Sequence, residues 1–374
     1  MRLELVWQRG CHPSRIAEYF NETEIPCFLR SGVLSWLFGS GWISVLIYDA
    51  DQHAMLKTLV MDGIGNTGFC DAIDWVGYRG ALFSKGSTAG FRQSALIKYS
   101  RFCRHRGIVA ELIRFDPRDD QIVTRVRPRL SFYRGRSIIY APAVSMNTDE
   151  QVRVYAPSCR RQIRSAEGRV YASNVDKSTQ NIARFRDLYV ASMQRCGAVK
   201  RWFFDESFFQ SMSSLSEVNL WFATDCTNND LLLSAIATVD DGKAITTLLV
   251  ANHDKRSLKG ANDLLTHEVV RSSVSRGFTE VCLGGGGLNR ADDPLERFKR
   301  KFSGGTMRPL MVGIVIHSLG EYQQLCRLAK IESQSSDGIS VGDEFLRKFF
   351  PYRINRQFWN VSALFRPGYN VTEV

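Results

Sequence analysis

The sequence predicts an α/β (α+β) protein, and two observations carry that expectation. Short apolar and β-branched runs such as GWISVLIYDA, IVAELIRF, LLLSAIATV, AITTLLVA and RPLMVGIVIH alternate with longer stretches of helical periodicity. Alternation of this kind packs helices against a mixed sheet. A helix that ends in Arg-Gly and passes into a strand also occurs twice, as FRQSALIKYSRFCRHRGIVAELIRF (Phe91 to Phe115) and ANDLLTHEVVRSSVSRGFTEVCLGG (Ala261 to Gly285). In both, glycine supplies the left-handed residue past the last turn and the basic residue before it complements the negative helix end. Two similar domains in tandem account for the recurrence; so does the frequency of such units in any α/β protein.

Composition bounds the rest. With 374 residues, 44% hydrophobic and 11% aromatic, the chain is long enough to fill two cores. The first residues, MRLELVWQRG, hold no apolar run of secretory length. The longest apolar stretch, Leu34 to Tyr48, is interrupted by Gly39 and Gly41 and is shorter than the roughly 20 residues a bilayer span needs. Its Trp36 to Trp42 portion is aromatic enough to suggest contact with a membrane surface instead. Nine cysteines without C-x-x-C spacing suit reduced thiols and a cytoplasmic setting. A net charge of +11 suits anionic ligands, whether nucleic acid, lipid headgroup or nucleotide phosphate. The densest basic runs contain Arg153, Arg160, Arg161, Arg164 and Arg169, then Arg297, Lys299, Arg300 and Lys301; each alone reads equally well as a solvated helix face.

Several chemistries lack their residues. The six histidines are scattered, and His267-Glu268 is followed by Arg271 where a zincin helix needs its second histidine, so no metal site is expected. Neither a G-x-S-x-G elbow nor a G-x-x-x-x-G-K-[ST] loop is present. The glycine run from Gly284 to Gly287 fails the dinucleotide fingerprint, because Asn289 occupies its third position. The run directly follows the strand EVCLG, at the end where α/β sheets place ligands, and glycines there let backbone approach a ligand closely. The next helix, Asp292 to Phe302, opens with acidic residues and Pro294 and closes with basic ones, as the helix dipole favours. Phe298 and Phe302 share its apolar face, with Lys299 beside that seam.

These segments resemble a known family. GANDLLTHEVVRSSVSRGFTEVCLGGGG followed by LERFKRKFSGG is similar to the C-terminal domain of the FemAB-like branch of the GNAT acyltransferases. That branch includes peptidoglycan-bridge aminoacyltransferases and relatives from polysaccharide gene clusters. PSCRRQIRSAEGRVYASNVD with FRDLYVASMQRCGAVKRWFFDESFFQSM resembles its arginine-rich helix and Y-x-x-[ST]-M-x-R-x-x-A segment. DWVGYRGALF (Asp74 to Phe83) resembles its D-x-x-Y-G-Y-G-G-P loop, GIVAELIRFDP its R-F-[HD]-P strand, and FFPYR (Phe349 to Arg353) the tail of the sugar-modifying relatives.

The resemblance implies two tandem GNAT-like domains, each a mixed sheet flanked by helices. Their expected spans are 1–150 on the acceptor side and 151–330 on the donor side, with 331–374 packing back on the body and Ile331 to Asp343 as a loop. It implies transfer of an acyl group, acetyl by preference, to an amine of a sugar or peptide precursor in cell-envelope polysaccharide or peptidoglycan synthesis. Lys299 then stabilises the oxyanion, with Phe298 beside it. Asp74 and Tyr78 orient the amine, unless Asp74 only stabilises a turn, and Arg114 and Arg164 hold phosphates of a nucleotide- or lipid-linked acceptor. Lys259, Gly260 and Ala261, with Gly284 and Gly285, bind the donor. The usual [QR]-x-x-G-x-[GA] signature is displaced here, since Lys259 stands where glycine is expected and Gly260 comes one place late. No tightly bound cofactor is implied; acyl-CoA is the co-substrate, with aminoacyl-tRNA as the alternative donor. The competing class is a basic nucleic-acid-binding or scaffold protein, but no DNA- or RNA-binding module is recognisable.

Overall fold

The structure, a computed structural model, describes residues 2–73, 77–78, 80–118, 130–198, 200–228, 231–242, 244–254, 259–286, 293–333, 350 and 352. The chain forms two compact units, one from segments 1–135 and 310–374 and the other from 136–309.

The first segment supplies β1 (Glu4–Arg9), α1 (Ser31–Phe38), β2 (Trp42–Tyr48), β3 (Ala54–Gly63), β4 (Cys70–Ile73), β5 (Leu82–Phe83), α2 (Ala89–His105) and β6 (Ile108–Arg114). The second unit takes most of β7 (Leu130–Pro142), then α3 (Thr148–Arg153), α4 (Pro157–Ala166), β8 (Val170–Val175), α5 (Thr179–Arg195) and α6 (Glu206–Ser211). It continues with β9 (Val218–Asp225), β10 (Leu232–Asp240), β11 (Ile245–Asn252), α7 (Ala261–Ser275), β12 (Glu280–Gly284) and α8 (Pro294–Arg300). The chain returns to the first unit along β13 (Met307–Ile316) and ends its described helices with α9 (Leu319–Ser333).

Both units follow one plan. In the first, β1 to β4 are successive antiparallel neighbours, β4 pairs parallel with β6, and β6 pairs antiparallel with β13. In the second, β8 to β11 are antiparallel neighbours, β11 pairs parallel with β12, and β12 pairs antiparallel with β7. A parallel pair needs a crossover, and the two Arg-Gly helices provide it: α2 leads into β6 and α7 into β12. Gly107 and Gly277 close these helices at φ +68° and +81°. The fold is mixed α/β with this arrangement present twice, as the repeat predicts.

Burial explains why these segments are strands. All seven residues of β2 are buried, the pattern of a strand covered on both faces. Trp36 and Trp42 are buried as well, at 5% and 0% exposure. The two tryptophans that suggested a membrane surface are therefore core residues, Trp36 on α1 and Trp42 at the start of β2. No helix among the described residues is long and apolar enough to cross a membrane.

The expected boundaries shift for a packing reason. Ile139, Ala141 and Ala143 lie in the core of the second unit with Ile163, Leu265, Val281 and Phe302. Leu325 of α9 lies instead in the first unit's core, with Val109, Leu112, Phe350 and Tyr352. Ile331 to Ser333, expected as loop, continue α9; residues 334–343 lie outside the described residues.

Candidate active site

The N-terminus of α7 is built by a close helix contact. Gly260 precedes the helix at φ +95°, and a Cβ there would lie 2.2 Å from the Gln162 carbonyl oxygen of α4. Only glycine fits that geometry. Lacking a side chain, it caps nothing, so the first N–H groups of the 15-residue α7 stay uncapped by their own N-cap residue. They border a cavity of about 170 Å³ lined by Leu233, Asn252, His253, Gly260, Ala261, Asn262 and Asp263. Ser234 Oγ lies 2.8 Å from Asn252 Oδ1 and 3.2 Å from Asn262 Oδ1, which fixes two of these walls. Lys259, the residue before Gly260, is exposed and is not among the lining residues. The expected donor residues Lys259, Gly260 and Ala261 thus meet at one place, although residues 255–258 of the displaced signature lie outside the described residues. Such a helix end favours an anion through N–H groups that no N-cap side chain takes and through the helix dipole. The matching helix of the first unit differs, because Thr88 Oγ1 accepts from Phe91 N at 3.1 Å and closes the end of α2 itself.

A second feature of this unit is the exit of β12. Parallel pairing with β11 covers Ile245–Val281 and Thr246–Cys282, so among the described residues the remainder of β11 is paired with β10 alone and the sheet opens there. Opposite β7 the register slips between Cys282 and Gly284, and Gly284 adopts φ +76°. Lys299 reaches this exit from α8 and donates from Nζ to Gly285 O at 2.7 Å. A Cβ on Gly284 would stand 3.4 Å from that Nζ. Burial lowers the ammonium to about 8, against the raising influence of Cys282 and Asp293. At neutral pH it is still mainly charged: a compact cation held against backbone where the sheet opens.

Sequence and packing hold α8 in place. Pro294 opens it, and Asp293 Oδ1 accepts from Leu295 N at 2.8 Å and Glu296 N at 3.3 Å. Phe298 is half-buried, meets Phe302 edge-on at 5.5 Å and lies 4.5 Å from Lys301 Nζ. Its visible contacts are packing contacts that orient the helix. Arg164 is exposed near the end of α4; like Arg160 and Arg161 it makes no ion pair among the described residues. Gly286 is described, but residues 287–292 of the loop are not.

Tyr78 and Arg114, expected on the acceptor side, meet in the first unit. The Arg114 guanidinium carbon stands 5.8 Å from the Tyr78 ring centroid, and Phe28 meets the same tyrosine at 6.4 Å. Gly77, at φ +81°, lets the loop lie on Phe28, because a Cβ would come within 2.7 Å of that ring. Asp74 lies outside the described residues. Sequence reasoning missed another group in this unit. Glu111, fully enclosed, faces Lys57 Nζ at 2.6 Å, Tyr99 OH at 2.9 Å and His317 Nε2 at 3.3 Å. Burial would raise its carboxyl, but the Lys57 charge and the His317 hydrogen bond outweigh that and bring it to about 2. No cavity reaches it among those described, and it braces β3, α2, β6 and the end of β13. The β2–β3 turn groups Asp49, Asp51 and His53 with ligand atoms within 4.8 Å of one another. Asp49 is engaged within that turn, accepting from the Asp51 and His53 N–H groups and pairing with the His53 ring.

Residues 156–300 match the family described as the acetyltransferase (GNAT) domain. The α7 N-terminus, the β12 exit and Lys299 all lie within this matched segment. Solved structures extend the likeness in fold along the chain. FemX is 12% identical, with 80% of this chain and 94% of that chain aligned and a TM-score of 0.63. The C-terminal domain of a protein described as a lysylphosphatidylglycerol synthetase, from Agrobacterium fabrum, is 10% identical over 83% and 93%, with a TM-score of 0.52. L-PGS from Bacillus licheniformis is 10% identical over 76% and 86%, with a TM-score of 0.51. The chain thus shares its fold with FemX and with these two proteins. No curated protein sequence matches it.

Proposed function

We propose that the protein is an N-acyltransferase that passes an acyl group, acetyl by preference, from acyl-CoA to an amine of a nucleotide- or lipid-linked sugar or peptide precursor of the cell envelope. One observation carries the choice of donor. Of two equivalent crossover helices, α2 closes its own N-terminus with Thr88, whereas α7 leaves its N-terminus open on a cavity. The pyrophosphate of coenzyme A fits that end, with Gly260, Ala261 and Lys259 around it. The thioester then extends along the opening between β11 and β12 toward Lys299.

The chemistry follows from that placement. A neutral amine attacks the thioester carbonyl carbon, and the carbonyl electron pair moves onto oxygen. Lys299, part-buried at the β12 exit, supplies positive charge where this oxyanion develops. Collapse expels the coenzyme A thiolate and forms the amide, while the nitrogen loses its proton to the leaving thiolate or to solvent. Tyr78, Arg114 and Asp74 serve the acceptor, with Arg164 as a further phosphate ligand. Acyl-CoA and nucleotide-linked precursors are both cytoplasmic compounds, and the reading puts the enzyme there with them.

The test is transfer from radiolabelled acetyl-CoA to UDP-linked amino sugars and to muropeptide precursors, with aminoacyl-tRNA as a parallel donor. Labelled amide from acetyl-CoA is expected, and lost in Lys299→Met. Transfer from tRNA alone would replace the donor half of the reading. Transfer from neither, with no acetyl-CoA binding, would remove it.

A further inference from the structure

Lys301 stands two residues beyond Lys299, and two residues on a helix turn the side chain by about 200°. The two ammonium groups therefore leave α8 on opposite sides. Lys299 reaches Gly285 O at the β12 exit, while Lys301 reaches Asp263 in the first turn of α7. Asp263 is only 7% exposed and lines the cavity at that helix end. The Cys159 thiol of α4 hydrogen-bonds the same carboxylate, and burial pushes that thiol up to about 12, so it remains a neutral donor. The Lys301 carbonyl accepts from Ala156 N at 2.8 Å, at the start of α4. Three helices thus meet at one ion pair.

A carboxylate in the first turn favours the helix but opposes any anion bound at its end. Here the opposing charge is matched by Lys301. We propose that Asp263 and Lys301 are a positioning pair for acyl transfer: they fix α8 so that Lys299 stays at the β12 exit, and they keep the donor-binding end of α7 free of net negative charge. The second half rests on the acyl-CoA reading above; the first does not. The pair makes donor affinity and the placement of Lys299 depend on one contact. Its two members therefore have different signatures. Removing the lysine charge exposes the carboxylate to the donor's phosphates, whereas removing the carboxylate loosens α8 without adding repulsion.

The experiment uses the full chain and three variants, Lys301→Met, Asp263→Asn and the double Asp263→Asn/Lys301→Met, with Lys301→Arg as the conservative control. Acetyl-CoA affinity is measured by calorimetry. The pH midpoint of Lys299 labelling by an amine-reactive reagent is read by mass spectrometry on donor-free protein. Lys301→Met should weaken acetyl-CoA about fivefold or more, and the double variant should recover to within about twofold of wild type. All three should shift the Lys299 labelling midpoint, with Lys301→Arg close to wild type. Equal acetyl-CoA affinity in Lys301→Met and wild type would overturn the electrostatic role. If Lys301→Met does not fold, the double variant, with no unpaired buried charge, carries the test; a labelling midpoint unchanged there would overturn the positioning role. A wild-type protein that binds no acetyl-CoA would refute the donor assignment, while the labelling midpoints would still decide the positioning of Lys299.

Discussion

Replacing Gly260 by alanine perturbs the proposed donor site at its tightest point. The new Cβ would lie 2.2 Å from Gln162 O, 3.0 Å from Gln162 C and 3.2 Å from Ala166 Cβ, on a backbone at φ +95°. The nearest obstacle is α4 main chain, which no rotamer change relieves. Holding a β-carbon in the left-handed region costs about 1–2 kcal/mol. Forcing a methyl group into a packed contact costs typically about 1–3 kcal/mol more. Reduced freedom of the unfolded chain returns about 0.4–1 kcal/mol. The net loss is about 2–4 kcal/mol, and the cheapest relief is for the first turn of α7 to leave α4. Hydrogen exchange of the amides of α7 should then accelerate roughly 30- to 700-fold at about 1.4 kcal/mol per decade. Acetyl-CoA affinity should fall with it by about tenfold or more. Exchange within threefold of wild type, together with unchanged affinity, would refute both the close α4–α7 contact and its role in donor binding.

Three further outcomes follow from the same structure. Lys299→Met should lower kcat by about 10²–10³ while leaving donor affinity near wild type, as removal of one oxyanion partner does; in the wild type, kcat should decline as pH rises through about 8, where Lys299 loses its charge, and a rise there would make the lysine a base instead. Glu111, brought to about 2 from an ordinary 4.5, contributes stability fully present above about pH 4.5 and lost as pH falls toward 2; Lys57→Met, leaving that carboxylate buried without its cation, should cost about 3–5 kcal/mol in urea unfolding at pH 7, and a change below 1 kcal/mol would contradict the buried pair. Tyr78→Ala and Arg114→Ala should raise the acceptor KM about tenfold with acetyl-CoA affinity unchanged, and a loss confined to donor binding would remove them from the acceptor side.

Much of this fold is legible because short-range signals and packing agree. Strands such as Trp42–Tyr48 and Ile108–Arg114 are read from continuous β-branched runs, and the two crossover helices from their Arg-Gly ends. The unit boundaries are not legible in the same way. β7 and β13 look like ordinary strands in sequence, and only packing shows that the chain enters the second unit near Arg136 and leaves it at Pro309. Trp36 and Trp42 mislead for a related reason: an aromatic run separated by two glycines has the same composition in a core as on a membrane surface, and burial decides. At the site, the glycine at 260 and the lysine at 299 are found from local pattern and family resemblance. Asp263, Lys301 and Cys159 are not, because they are 142 residues apart at their extremes and no spacing rule joins them. A buried acid in a helix's first turn reads as a routine dipole partner until the lysine beside it is seen.

The two units also show why a duplicated plan need not give two donor sites. Strand order, the parallel step and the glycine-capped crossover helix recur in both, so the difference resides in single residues at equivalent places. At the start of α2, the Thr88 hydroxyl uses the N–H of Phe91, and Ser84 and Ser87, 2.9 Å apart, fill the turn before it. An anion arriving there would have to displace a cap worth roughly 0.5–2 kcal/mol and would find an occupied turn. At the start of α7 the N-cap glycine supplies no capping side chain, and α4 packs closely against that turn. The same substitution thus does two things: it opens the helix end to a phosphate, and it makes that end depend on the α4 contact. In the proposed reading this leaves the first unit, where Tyr78 and Arg114 meet, to the acceptor and gives the donor to the second.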